Sequence, residues 1–144
     1  MVSHQVQILL VDDDDVDADV IRRAIDKQRI ANPMVRARDG IEALEILRGE
    51  TAEGRLLRPY LILLDLNMPR MNGIEFLHEL RDDSKLHDSI VFVLSTSDDD
   101  RDVLQAYEKH VAGYLKKGKF GEPFIEHLNM LKLYWRYIEF PPER

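Results

Sequence analysis

Continuous apolar runs that end abruptly at polar residues constrain this chain most. "VQILLV", "YLILLD", "SIVFVLS" and "VAGYL" are apolar almost without interruption. A strand with one wet face alternates apolar and polar side chains, whereas a strand covered on both faces does not. Between these runs the apolar residues fall at helical spacing. Val20, Ile21, Ala24 and Ile25 do so from Val16 to about residue 29, followed by Ile41, Leu44 and Leu47, then Ile74, Leu77 and Leu80, then Val103, Leu104 and Tyr107. "MVRARDG" reads as a shorter extended segment turning at Asp39-Gly40, "RGETAEGRLLRP" as a loop and "NMPRMNG" as turn chemistry. Strands alternating with helices predict an α/β fold, a doubly wound five-stranded parallel sheet with five helices. The 144 residues suit one domain, expected over 1–144 with an extended C-terminal helix and tail at about 121–144.

In such sheets ligands sit beyond the carboxyl ends of the strands. The residues found there are Asp12 and Asp13 after the first run, Asp65 after "YLILL", Ser95 at the end of "SIVFVLS" and Lys117 after "VAGYLK". Three acids, a hydroxyl and an amine from four stretches are thus expected on one rim. The first run also ends in four consecutive aspartates, Asp12 to Asp15, with Asp17 and Asp19 close behind. Two unit charges ~4 Å apart repel by roughly 4 kcal/mol at an effective dielectric near 20. Either the acids separate into water or something positive sits among them. Asp14, Asp15, Asp17 and Asp19 read as solvated acids at a helix N-terminus. Asp12 and Asp13 face Asp65 from a matching strand end and read as a cation site. The formal net charge of -7 argues against nucleic acid as a partner. There is no cysteine, and no apolar run approaches the ~20 residues of a membrane span, so a cytoplasmic protein is expected.

"LLVDDD", "ILLDLNMPRMNG", "VFVLST" and "GYLKK", in this order, resemble the receiver domain of two-component response regulators, a flavodoxin-like fold, over about residues 5 to 133. The resemblance implies a role for each matching residue. Asp65 is the phosphoacceptor. Asp12 and Asp13 bind Mg²⁺ together with Asp65, and Asn67 adds its backbone carbonyl. Ser95 hydrogen-bonds the phosphoryl group, Lys117 contacts the acid or its phosphate, and Tyr114 is the aromatic whose orientation follows phosphorylation. Independently, Mg²⁺ prefers hard oxygen ligands and retains waters, and phosphoryl transfer is mainly positioning and charge stabilisation. The sequence departs from the family's pattern at Gly118, where many receivers have proline, and at Thr96, where alanine is common. The insert before "YLILLD", the "LST" hydroxyls and the "YWRYIEFPP" end resemble the small regulators paired with bacterial phytochrome histidine kinases. The implied function is a stand-alone response regulator that takes a phosphoryl group from a sensor histidine kinase and catalyses only its own phosphorylation and dephosphorylation.

Two other readings are open. A degenerate receiver that only binds partners usually lacks one of the acids or the lysine, and this chain keeps them. A Mg²⁺-dependent aspartyl phosphatase wants a second acid two residues after the nucleophile, where Asn67 stands. The last helix carries a further signal. Phe124, Leu128, Leu131, Trp135 and Ile138 form a stripe expected to pack on the sheet. Met130, Leu133 and Tyr137 form a second stripe, roughly 140° around at ~100° per residue. A helix that covers a monomer needs one stripe, so the second predicts a homodimer, with the end from Trp135 extending the contact.

Overall fold

The computed structural model describes residues 5–27, 32–52, 54–68, 70–95, 100–116 and 122–143, without the side chains of 116, 122–128 and 135. Strands and helices alternate in the order β1 (Gln7–Val11), α1 (Asp15–Lys27), β2 (Met34–Ala37), α2 (Gly40–Arg48), β3 (Tyr60–Leu64), α3 (Gly73–Asp82), β4 (Ile90–Ser95), α4 (Asp100–Glu108), β5 (Gly113–Lys116) and α5 (Glu122–Tyr137). The five strands form one sheet in the order β2-β1-β3-β4-β5, every pair parallel. The doubly wound α/β expectation therefore holds. β1 and β3 are neighbours although β2 lies between them in sequence, so the order reverses there.

The unbroken apolar runs have the cause the sequence suggests. All five residues of β3 are buried, because alternate side chains feed two different cores. Leu9, Val11, Ile62, Leu64, Val91 and Val93 meet residues of α2, α3 and α4 on one face. Ile8, Leu10, Leu61, Leu63, Phe92 and Leu94 meet α1 and Leu131 of α5 on the other. Local chemistry sets the helix starts. Asn72 and Glu75 form a reciprocal capping box at α3, and Asp39 accepts from the Glu42 N–H at α2. Gly49 closes α2 in the left-handed conformation at φ 77°, which glycine adopts without strain.

Two apolar expectations are corrected. Ile138, assigned to the packed stripe of α5, is exposed, because the helix ends at Tyr137 and the chain turns away. Leu131 of that stripe is buried as expected, and Tyr134 packs in place of Ile138, its ring edge-on to Phe92 at 5.1 Å and to Phe140 at 6.0 Å. On α4, Ala106 is buried while Leu104 and Tyr107 face solvent. Phe124, Leu128 and Trp135 fall among the side chains outside the described set. Met130, Leu133 and Tyr137 are exposed, as the second stripe requires.

The tail returns to the amino ends of the strands. Glu143 accepts from Arg55 Nη1 at 2.9 Å and from the Arg58 backbone N–H, and Arg58 Nη1 donates to the Pro142 carbonyl at 3.0 Å. Tail residues Ile138 to Glu143, with Val6, Pro33 and Leu57, line a cavity of about 790 Å³ at this pole, opposite the acid cluster. Burial alone would raise the Glu143 carboxyl; the bonds from Arg58 and Arg55 outweigh it and hold the group below its ordinary 4.5. With the folded value depressed, the tail's hold is full above about pH 4.5 and fades as acid protonates Glu143. Among the described residues no helix is long and apolar enough to cross a membrane.

Candidate acid site at the switch in strand order

β1 and β3 end side by side, with Val11 level with Leu64 and the Asp65 N–H donating to the Val11 carbonyl at 2.9 Å. The residues following those ends are therefore forced together. One carboxylate oxygen from each of Asp12, Asp13 and Asp65 lies within 4.8 Å of the other two. Asp12 and Asp65 are buried, and Asp13 faces solvent. Three hard anionic oxygens, one edge open to water, are the donor set that a small divalent cation takes. The cluster stands at the strand-order switch, where open α/β sheets bind their ligands.

The sequence around the cluster shapes it closely. The Asp14 N–H donates to Asp12 Oδ1 at 3.0 Å, and Asp14 Oδ1 in turn accepts from the Val16 and Asp17 N–H groups at the start of α1. The Asn67 N–H points at Asp65 Oδ1 at 3.4 Å, a long contact. Gly73 opens α3 against the backbone that carries Asp65. A methyl group there would stand 2.8 Å from the Asp65 carbonyl oxygen and 2.7 Å from the Leu66 Cα, both main-chain atoms that cannot swing aside. Gly73→Ala is expected to displace the Asp65 loop and destabilise the fold by about 1–3 kcal/mol, as overpacking does. Urea unfolding measures the stability loss, and amide shifts of Asp65 to Asn67 report the displacement.

The sequence model of the family described as response regulator receiver domain matches residues 8–128, most of the chain. This chain belongs to that family.

The receiver is 33% identical to the response regulator Rcp1 of Synechocystis sp. over 128 residues, 89% of this chain and 87% of that protein. It is 37% identical to the probable methanogenesis regulatory protein FilR2 of Methanothrix harundinacea over 89% of this chain and 82% of that protein. The solved structure of the phosphorylated cyanobacterial phytochrome response regulator RcpA superposes with a TM-score of 0.85 at 33% identity, over 96% of this chain and 99% of that chain. Rcp1 itself, solved in a Mn²⁺-bound form, superposes at 0.81 with 32% identity over 94% and 99%. Receiver domains bind a divalent metal at an acidic pocket of this kind, and those of phytochrome response regulators interact with histidine kinases.

Of the other residues singled out in the sequence, Ser95 and Tyr114 lie near the same rim of the receiver. Ser95 ends β4, fully buried. Val93 is level with Tyr114 and Ser95 with Lys116, so Ser95 and Tyr114 share a sheet face as diagonal neighbours. Tyr114 is half-buried and packs against the core that α2, α3 and α4 cover. Lys117, Thr96 and Gly118 lie outside the described residues.

Sequence reasoning missed the arginines. Arg36 of β2 and Arg38 just beyond its end donate to Asp15 Oδ1 at 2.6 and 3.0 Å, so part of the crowded charge is met by cations from the next segment. The Arg36 hydrogen bond, then the charges of Arg38 and Arg36, hold the Asp15 carboxyl below its ordinary 3.8. Arg70, at φ 59° in the loop after Asp65, donates to the buried Asp39, Nε and Nη2 both at 2.6 Å from Oδ2. One signal was available: both pairs lie in segments bracketing the acids, "VRARD" and "MPRMNG". The three remaining carboxylates still repel. Asp13→Ala is expected to raise the thermal midpoint of the metal-free receiver by a few degrees. A large fall would make Asp13 a structural cap.

Proposed function

We propose that this receiver is a phosphorylation-operated switch in which Asp65 accepts a phosphoryl group from a sensor histidine kinase. The observation that carries the reading is the convergence of Asp12, Asp13 and Asp65 at the ends of β1 and β3. An Asp65 carboxylate oxygen attacks phosphorus, the new O–P bond forms as the N–P bond of the phosphohistidine breaks, and the departing imidazole takes up a proton. The product is an acyl phosphate on Asp65. Asp12, Asp13, Asp65 and the Asn67 carbonyl would hold Mg²⁺, whose charge would offset the acids and stabilise the charge on the phosphoryl oxygens. Buried Ser95 donates its hydroxyl to those oxygens, and Lys117, assigned by its motif, supplies fixed positive charge. The chain catalyses its own phosphorylation and dephosphorylation and no other turnover.

The added group brings about -2 charge and strong acceptors. Drawing the Ser95 hydroxyl toward it changes the space beside Tyr114, its diagonal neighbour, and the ring's position then alters partner contacts on that face. The partner kinase is a bacterial phytochrome, supported by the likeness to Rcp1 and RcpA. The receiver domain spans the chain and acts alone in the cytoplasm, without nucleic acid. Incubation with a small phosphodonor tests the chemistry by intact mass. One phosphoryl group is expected with Mg²⁺ and none after chelation; labelling indifferent to chelation would refute the metal's part.

The second stripe of α5 supports a homodimer. Met130, Leu133 and Tyr137 are 39%, 48% and 76% exposed, and a large apolar side chain fully buried contributes ~1.5–3 kcal/mol. Three per subunit, doubled by two-fold symmetry, outweigh association costs, with Trp135 assigned to the same contact. Sedimentation at tens of micromolar is expected to give a dimer that Leu133→Asp with Tyr137→Asp dissociates. A dimer that survives the pair places the interface elsewhere.

A further inference from the structure

The acid run is gripped from the neighbouring edge strand at a single peptide. Arg36 Nε and Nη2 both donate to the backbone carbonyl of Asp12, at 3.1 and 3.0 Å. The third nitrogen of the same guanidinium, Nη1, donates to Asp15 Oδ1 at 2.6 Å, and Arg38 Nη1 reaches that oxygen at 3.0 Å. Arg36, in β2, and Arg38, just past its end, meet on that one oxygen, while Ala37 between them is buried in the core that α2, α3 and α4 cover. The Arg36 side chain is only 17% exposed, so the grip is shielded from water.

That carbonyl belongs to the peptide joining Asp12 to Asp13. A peptide is planar, so two N–H groups converging on its oxygen fix the plane and with it the direction in which Asp13 leaves the strand. The same guanidinium is anchored at its far side to the first turn of α1. It therefore spans the acid run from Asp12 to Asp15, while the Asp14 N–H closes on Asp12 Oδ1 at 3.0 Å from within. We infer that Arg36 is a positioning residue for the metal site: it holds the Asp12–Asp13 peptide so that both carboxylates stay converged on Asp65 before any cation arrives.

The sign of the effect separates this role from simple charge. A cation one peptide away from a cation site opposes the metal by Coulomb's law, and its removal also bares Asp15, so on charge alone its loss would tighten metal binding. Positioning predicts the reverse, since groups that orient metal ligands typically contribute ~10–100-fold in affinity. Lysine keeps the charge but has no planar fork, so it is not expected to restore the grip.

The inference rests on the proposed metal role of Asp12, Asp13 and Asp65, and the test keeps the two apart. Mn²⁺ binding to the whole protein is followed by calorimetry for the parent, Arg36→Gln, Arg36→Lys and Asp13→Asn. The parent is expected to bind, Asp13→Asn to bind far more weakly, and both Arg36 variants to bind roughly tenfold more weakly than the parent. Hydrogen exchange of the metal-free proteins supplies a second readout: the Asp14 amide is expected to lose protection in Arg36→Gln while β3 amides keep theirs. Binding by Arg36→Gln as tight as the parent's, or tighter, overturns the inference and leaves the metal reading intact. Full recovery in Arg36→Lys overturns it, because a single ammonium without the planar fork would then suffice. A variant whose β3 amides also lose protection assigns Arg36 to the fold, and overturns it too. A parent that binds no Mn²⁺, or an Asp13→Asn variant that binds as well, overturns the metal reading itself.

Discussion

Asp65→Asn is expected to reduce phosphoryl acceptance to background, a loss on the order of a hundredfold or more, while leaving the fold at least as stable as the parent's. The two halves of the expectation have different causes. A neutral amide oxygen is a poor nucleophile and cannot form the stable acyl phosphate that a carboxylate forms. Asparagine has nearly the same volume, retains an oxygen toward the Asn67 N–H, and removes one of three anions lying within 4.8 Å of one another. Repulsion falls, so the metal-free thermal midpoint is expected to stay level or rise. Intact mass after incubation with a small phosphodonor and Mg²⁺ gives the first readout and a thermal melt the second. A variant labelled as well as the parent removes Asp65 from the mechanism. A variant that is unlabelled and also unfolded shows only that the side chain is structural.

Arg81→Met is expected to cost about 3 kcal/mol of stability, or roughly 10 °C in thermal midpoint, with phosphodonor labelling little changed below the transition. From the last turn of α3, Arg81 donates to four backbone carbonyls: Nε to Lys109 at 2.7 Å, Nη1 to His87 at 2.7 Å and Ser89 at 2.8 Å, and Nη2 to His110 at 2.9 Å. One guanidinium thus fixes both the turn before β4 and the turn before β5, where His110 sits at φ 60°. Burial pulls its pKa below the ordinary guanidinium value, against the raising influence of Asp88 and Tyr60. Methionine fills the stem's volume but leaves the carbonyls without their charged donor. Arg81→Lys, a single point charge, is expected to recover only part of the loss. A midpoint within about two degrees of the parent's would mean that water replaces the guanidinium without cost.

The parts of this molecule that were legible in the sequence are those set by local pattern. Tyr60 to Leu64 read as a strand covered on both faces because each residue enters one of two cores. Asp12, Asp13 and Asp65 read as one site because strand ends in a parallel sheet share a rim. The illegible parts depend on register and docking. Nothing in "MVRARDG" says that Arg36 lies level with Leu10 and so reaches the Asp12 carbonyl. Asp15 read as a solvated acid, and it is exposed, yet it receives both Arg36 and Arg38. Ile138 continued a helical stripe that the chain abandons one residue earlier, and Tyr134 took up the packing. Arg81 and Arg70 carry no periodic signal, since their partners are carbonyls of two turns and an acid on another segment.

Transfer from a phosphorylated histidine kinase, followed to the residue that receives the group, distinguishes Asp65 from its acidic neighbours as the acceptor. A bacterial phytochrome kinase carrying labelled phosphohistidine is mixed with the whole protein in Mg²⁺, and the product is reduced with borohydride, which converts only an acyl phosphate to an alcohol. Loss of label from the kinase, gain by this chain and conversion confined to Asp65 are expected, all abolished by chelation. Label that stays on the kinase of every phytochrome tried, or conversion found at Asp12 or Asp13 in place of Asp65, would contradict that expectation.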